Sequence, residues 1–246
     1  MEEDAGQADN EAVIGGAAFD DAELRSFGRR RGRKFSARQD RLMADLLERV
    51  KPHLDQPAPT DLAVGLFGKP MTDVWLEIGF GGGEHLLWQA RHQPTIGCIG
   101  AEPFEDGVVK VLAGIEDHDL DNVAIHPDDA RDLLRWLPAG SIGRAFILFP
   151  DPWPKRRHLK RRLINAHLLG MLARALRPGA ELRIATDIGD YARTILMAFQ
   201  ANHDFVWLAD RAADWRQRST DWPPTRYEAK AGREGRRSAF LRFRRR

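Results

Sequence analysis

The sequence predicts an α/β fold, a mostly parallel seven-stranded sheet with helices on both faces. Three observations carry this. From residue 74 onward, short apolar runs of strand length alternate with helical stretches. A glycine-rich turn follows the first run, and the fourth run ends beside an acid held between prolines. Taken in order, Leu42, Met43, Leu46, Leu47 and Val50 recur at helical spacing behind a Ser36 cap, and the Pro-rich stretch 52–59 ends that helix. Strands at 74–78, 96–101 and 123–126 alternate with helices at 83–92, 104–116 and 128–136. The chain continues with strand 144–149, helix 160–176, strand 180–186, helix 189–201, strand 204–208 and a last strand near 238–243.

Composition narrows the function class. A chain of 246 residues with 43% hydrophobic content buries a full core. No apolar run approaches the roughly 20 residues of a membrane span, and the amino terminus is acidic where a signal peptide is basic. A soluble, cytoplasmic protein is expected. Cys98, the single cysteine, lies in the apolar run IGCIG and reads as a core residue; nothing resembles a metal site. The net charge of +2 hides an asymmetry: residues 1–24 carry eight acids and no base, residues 25–41 eight bases and one acid, and residues 230–246 eight bases and one acid. Such separated basic blocks point to a nucleic-acid partner. The acidic head, lacking periodic apolar positions, reads as disordered.

The segment FPDPWPKRRHLKRR, residues 149–162, is the most informative stretch. Asp151 falls just past a buried strand, where open α/β sheets place their ligands. Pro152 and Pro154 stiffen the backbone around Asp151 and Trp153. Lys155, Arg156, Arg157, Lys160, Arg161 and Arg162 then place six cations in eight residues, a repulsion that a polyanion relieves.

The turn Glu77-Ile78-Gly79-Phe80-Gly81-Gly82-Gly83-Glu84 allows a cofactor close approach to the backbone. A dinucleotide fingerprint has glycine where this chain has Glu84. Acids on both sides of the turn suit a ligand carrying ammonium and sulfonium groups, such as S-adenosylmethionine, better than a pyrophosphate. Glu102 ends the next strand, where ribose hydroxyls are bound in this fold class. Asp128 and Asp129 precede a helix; Asp128 reads as its cap.

These motifs resemble the bacterial tRNA guanine-N(7) methyltransferases of the Rossmann-like, class I methyltransferase superfamily. The resemblance spans about residues 24–243 and rests on LRSFGRRRGR at 24–33, LEIGFGGGEH at 76–85, FPDPWPKRRHLKRRL at 149–163, ATDI at 185–188 and TRYEAKAGREG at 225–235. Together with the composition, it divides the chain into a disordered acidic head at 1–24, a basic segment and helix at 25–60 and a methyltransferase domain at 61–246. It further implies that Glu77, Gly79, Gly81, Glu102, Asp129 and Asp151 bind S-adenosylmethionine, with Asp151 also the active-site acid. Lys155, Asp187, Thr225, Arg226, Tyr227 and Glu228 would contact the substrate guanosine, the last four on a loop. Arg157, His158, Lys160, Arg161 and Arg162 would hold tRNA by its phosphates. The implied reaction is methylation of N7 of guanosine 46 in the tRNA variable loop, by a monomer or homodimer with no obligate protein partner. Pro103 and Phe104, which follow Glu102, depart from the family pattern.

Guanine N7 carries a lone pair and no proton, so alignment and charge stabilisation are expected to dominate, with Asp151 facing the developing cation. The competing readings are a nicotinamide-dependent oxidoreductase, disfavoured by Glu84, and a noncatalytic RNA-binding protein with a vestigial pocket.

Overall fold

The computed structural model describes residues 30–32 and 34–246; the acidic head, the rest of residues 1–29 and Arg33 lie outside the described residues. Helix α1 (Ala37–Arg41) continues through a π-helical turn (Leu42–Leu46) into α2 (Leu47–Val50). Ser36 and Gln39 cap its start reciprocally, each side chain accepting from the other's backbone N–H. Leu42 and Leu47 are buried in the core beneath it. A short helix, α3 (Leu62–Phe67), starts at Asp61, whose Oδ1 accepts from the Val64 N–H at 3.0 Å, and ends at Gly68 in the left-handed region. It was not expected: six residues beside prolines give no periodic signal.

The α/β order expected from the sequence is present. Strands β1 (Asp73–Ile78), β2 (Ile96–Ala101), β3 (Val123–His126) and β4 (Ile142–Leu148) alternate with α4 (Glu84–His92), α5 (Glu105–Asp117) and α6 (Ala130–Trp136). Then follow α7 (Ala166–Ala175), β5 (Leu176–Thr186), α8 (Gly189–Gln200), β6 (Phe205–Trp207), α9 (Ala213–Arg216), α10 (Arg226–Arg233) and β7 (Ala239–Arg245). The strand order is β3-β2-β1-β4-β5-β7-β6, with β7 antiparallel to both neighbours and the other pairings parallel. Order reverses between β1 and β4, which opens a crevice at the carboxyl ends of those two strands.

Two core clusters cover the two sheet faces. In β1, Val74, Leu76 and Ile78 enter one cluster and Trp75 the other, the parity of a strand buried on both faces. Cys98 is buried, and burial, with a contribution from Glu77, pushes its thiol up to about 12.

Three expectations need correction. Residues 156–161 form a 3-10 helix, and α7 begins only at Ala166, because Asn165 caps it by accepting from the Leu168 N–H at 3.0 Å. The basic run therefore lies on a separate turn. The TRYE segment is the start of α10 and not a loop: Thr225 caps it, its Oγ1 accepting from the Glu228 N–H at 3.2 Å. Asp129, not Asp128, caps α6, through the Arg131 N–H at 2.9 Å.

Candidate active site

A cavity of about 410 Å³ occupies the crevice between β1 and β4. The glycine turn forms one wall. Gly79 and Gly81 take φ of +74° and +56°, angles that glycine reaches without strain. A β-carbon on Gly79 would meet no atom within 4 Å, so the bare backbone is open for a ligand to approach. Glu102 braces the turn from β2. It is buried, and its carboxylate accepts from the Gly81 N–H at 2.8 Å and the Phe104 N–H at 3.0 Å. Burial pushes this carboxyl up and outweighs the two amides, which pull it down; the charges of Asp151 and Glu77 add to the rise.

The opposite wall follows β4. Phe149 and Trp153 hold φ of +53° and +43°, so the proline loop is tightly wound and not simply extended. Asp151 lies between them at the cavity surface. It is exposed, yet the surrounding protein removes enough water to push its carboxyl above the ordinary aspartate range. The loop is pinned by Arg162, whose Nε donates to the Pro152 carbonyl at 3.0 Å and whose other nitrogens reach Thr194 and Asp190 on α8. Arg162 is only 5% exposed. It is a strut, which corrects the expectation that it faces RNA.

Helix α10 closes the mouth. Tyr227 stacks on Phe149 with ring centroids 6.2 Å apart, and Arg226 pairs with Glu84 at 3.3 Å across the glycine turn. The preceding segment is anchored in the core: Trp222 is buried against His85, Phe146 and Phe240, and Arg183 grips the Asp221 carboxylate with two bonds of 2.8 Å.

The sequence-derived candidates divide as follows. Gly79, Gly81, Glu102, Asp129, Asp151, Lys160, Arg161 and Tyr227 come together around the cavity. Asp129 is held by Arg131 through a direct ion pair. Glu77 does not line the cavity. Its carboxylate turns to the other sheet face and accepts from His85 Nδ1 at 2.7 Å. Asp187 pairs with Arg236 at 2.7 Å and Glu228 with Arg218 at 3.0 Å, both away from the cavity. Lys155 and Arg157 are exposed on the basic turn. His158, pushed down by loss of water and by Arg161, Arg157 and Lys155, favours its neutral form.

Some lining residues carry no signal in the sequence. Arg30 borders the cavity and binds Asp128 at 2.6 Å, a pairing across 98 residues that no local pattern announces. Arg31, Arg38 and Arg41 likewise meet Glu105, Glu116 and Asp117 on α5. In the carboxyl-terminal block, Arg236, Arg242 and Arg245 also have acidic partners. The described parts of these two blocks thus spend much of their charge internally, whereas Lys155, Arg156 and Lys160 have no acidic partner among the described residues. Among those residues no His, Cys, Asp and Glu group could hold a metal ion, and no helix is long and apolar enough to cross a membrane.

Residues 71–241 match a family model described as "Putative methyltransferase". The chain is 48% identical over 217 residues to a tRNA (guanine-N(7)-)-methyltransferase of Chelativorans sp. (strain BNC1), covering 88% of this chain and 93% of that relative. It is 50% identical over 224 residues to a tRNA (guanine-N(7)-)-methyltransferase of Roseobacter denitrificans (strain ATCC 33942 / OCh 114), covering 88% and 94%. Among solved structures, the aminoglycoside resistance methyltransferase NpmB1 aligns with a TM-score of 0.50 at 18% identity, over 78% of this chain and 95% of that chain. The [4+2]-cyclase SpnF aligns with a TM-score of 0.50 at 16% identity, over 76% and 79%. At such identities the likeness concerns the fold alone, and a fold shared with a cyclase does not fix the chemistry.

Proposed function

This chain belongs to the tRNA (guanine-N(7)-)-methyltransferase family, and from that premise we propose that it methylates N7 of a guanosine in the tRNA variable loop, guanosine 46, using S-adenosylmethionine. The observation that carries the reading is the placement of Asp151 across the β1/β4 crevice from the open backbone of Gly79. S-adenosylmethionine, when bound, supplies an electrophilic methyl carbon on a sulfonium. The residues present fit it: bare glycine backbone allows close approach, and Glu102 retains lone pairs for ribose hydroxyls. Asp129 stands where the adenine amino group is expected. Glu77, whose carboxylate is taken by His85, is given no contact with the cofactor.

The nucleophile needs no base, because guanine N7 has no proton to lose. The protein's work is orientation, which contributes up to roughly 7 to 11 kcal/mol in favourable cases. Methylation leaves a positive charge on the base, and the Asp151 carboxylate stabilises that charge as it develops. Thr225, as the cap of α10, orients Arg226 and Tyr227 at the cavity mouth. Asp187 and Glu228, paired with Arg236 and Arg218 outside the cavity that holds Asp151, are given no contact with the target base. In A-form RNA, N7 faces a deep groove that side chains do not read, so the target is unstacked before reaction. Lys155, Arg157, Lys160 and Arg161 hold the neighbouring phosphates.

Transfer of labelled methyl to unmodified tRNA, followed by nucleoside mapping, tests the reading. N7-methylguanosine in the variable loop, lost in Asp151→Ala, is expected. Tight binding of tRNA and cofactor with no transfer would leave a noncatalytic RNA-binding protein.

A further inference from the structure

A second, larger cavity of about 1080 Å³ lies on the far side of α10, between α8, residues 215–217 and the start of β7. Helix α8 turns Ala192, Arg193, Leu196, Met197 and Gln200 toward it at helical spacing. Met197 is 60% exposed and, with Ala192 and Leu196, gives the groove an apolar floor. Facing α8 are Trp215, Arg216 and Arg237. The Arg216 guanidinium lies over the Trp215 ring, 4.9 Å from its centroid.

Charge distinguishes this groove from an ordinary apolar crevice. Many of the described arginines are matched to a carboxylate, including Arg236 on this same wall. Arg193, Arg216 and Arg237 have no acidic partner among the described residues. Protein interfaces also take up Trp, Met and Arg, but three arginines without a carboxylate call for counter-charge, which an RNA strand brings with every phosphate. A base also has a plane to stack on, offered by aromatic rings and guanidinium groups alike.

Position relative to the catalytic cavity selects the nucleotide. Consecutive residues of α10 face the two cavities: Tyr227 lines the first, Glu228 and Ala229 the second. Thr186, at the end of β5, also lines the second. A strand whose target base enters beside Asp151 and Tyr227 crosses α10 and meets the groove with an adjoining nucleotide.

We propose that this groove is a second RNA subsite that takes a nucleotide flanking the target guanosine. Its base rests on the apolar floor and the Trp215–Arg216 platform, and its phosphates meet Arg193 and Arg237. The assignment rests on the tRNA methylation reading above.

The test measures tRNA binding against salt and methyl transfer against tRNA concentration, for wild type, Arg193→Ala/Arg237→Ala and Lys160→Ala. The arginine pair variant is expected to bind roughly tenfold more weakly and to lose about 0.7 per contact from the slope of log affinity on log salt. Its KM for tRNA rises while kcat stays within about twofold. An abasic site in the nucleotide next to the target is expected to weaken wild type by about 5- to 150-fold, the range of one lost stack. Trp215→Phe keeps that sensitivity and Trp215→Ala loses it. Unchanged affinity and slope in the arginine variant, beside weakened binding by Lys160→Ala, overturns the groove while leaving the reaction intact. So does an abasic penalty equal in wild type and Trp215→Ala. Self-association of wild type that Met197→Glu abolishes assigns the groove to a second copy and also overturns it. Wild type that binds tRNA but transfers no methyl sinks the reaction itself, and the flanking assignment with it.

Discussion

His85 donates through Nδ1 to the Glu77 carboxylate at 2.7 Å, and the side chains are 1% and 5% exposed. With the proton on Nδ1, Nε2 accepts from Gln89 Nε2 at 3.1 Å, and the same amide donates to the Asp221 carbonyl at 3.2 Å. The end of β1 is thereby linked through α4 to the segment that leads into α10. His85→Ala leaves the Glu77 carboxylate buried without its donor, and a loss of about 1 to 3 kcal/mol in urea unfolding is expected. Glu77→Gln, which removes the charge, is expected to make a subsequent His85→Ala cost less than it does alone. Simple additivity in that cycle would show that the two residues do not share one interaction.

The Tyr227 hydroxyl lies 3.0 Å from where a β-carbon on Gly81 would sit, and Gly81 holds φ of +56°. Gly81→Ala therefore meets both backbone strain, about 1 to 2 kcal/mol, and a side-chain clash. Affinity for S-adenosylmethionine is expected to fall about tenfold or more by calorimetry, with the fold kept. Adding Tyr227→Ala restores the portion due to the clash and not the portion due to strain. A double variant no better than Gly81→Ala alone would place the whole cost in the backbone.

Both the strands and the glycine turn were legible because their signals are local. A parallel strand buried on both faces writes a continuous apolar run, as RAFILF does for β4, and a strand-to-helix turn writes its glycines. Asp151 was legible for the same reason, one step past such a run. Helix α10 was not: of RYEAKAGR only Ala231 is buried, so there is no apolar stripe to read. Which face Glu77 takes follows from strand parity with Trp75, but no pattern says that the cavity lies elsewhere. The partners of Arg30, Arg38 and Arg162 lie 98, 78 and 28 residues away, so a basic block that looks free in the sequence is spent once the chain folds.

Arg162 and Lys160 are two residues apart and are expected to fail in different ways. Arg162 ties the proline loop to α8 and stacks 4.8 Å above the Tyr191 ring. Arg162→Ala is expected to lower Tm and, by loosening the loop, to lower kcat, with little change in the salt dependence of tRNA binding. Lys160→Ala is expected to leave Tm unchanged and to weaken tRNA binding, flattening the salt slope by about 0.7 for a single-stranded contact. Thermal scans and salt titrations on the two variants separate these outcomes; equal salt slopes would remove Lys160 from the phosphate contacts.

Asp151 links activity and stability through one proton. Loss of water holds its folded pKa above the unfolded value, so between the two values the native state binds more protons than the unfolded chain. Stability is then complete below the unfolded pKa and declines as pH rises through the folded one. Activity runs the other way, because only the carboxylate stabilises the methylated base. The acid limb of kcat/KM is therefore expected above the ordinary aspartate value of about 3.9, and no second limb from a catalytic base is expected near neutrality. Asp151→Asn is expected to abolish that limb and to slow methyl transfer by about 10² to 10³, the scale of one removed charge-stabilising group. At neutral pH it should also melt at a higher temperature than wild type, the two converging as pH falls below the unfolded value. A variant that is slower but melts with the wild type at every pH would mean that ionising Asp151 costs the fold nothing, and would leave its charge fully solvated.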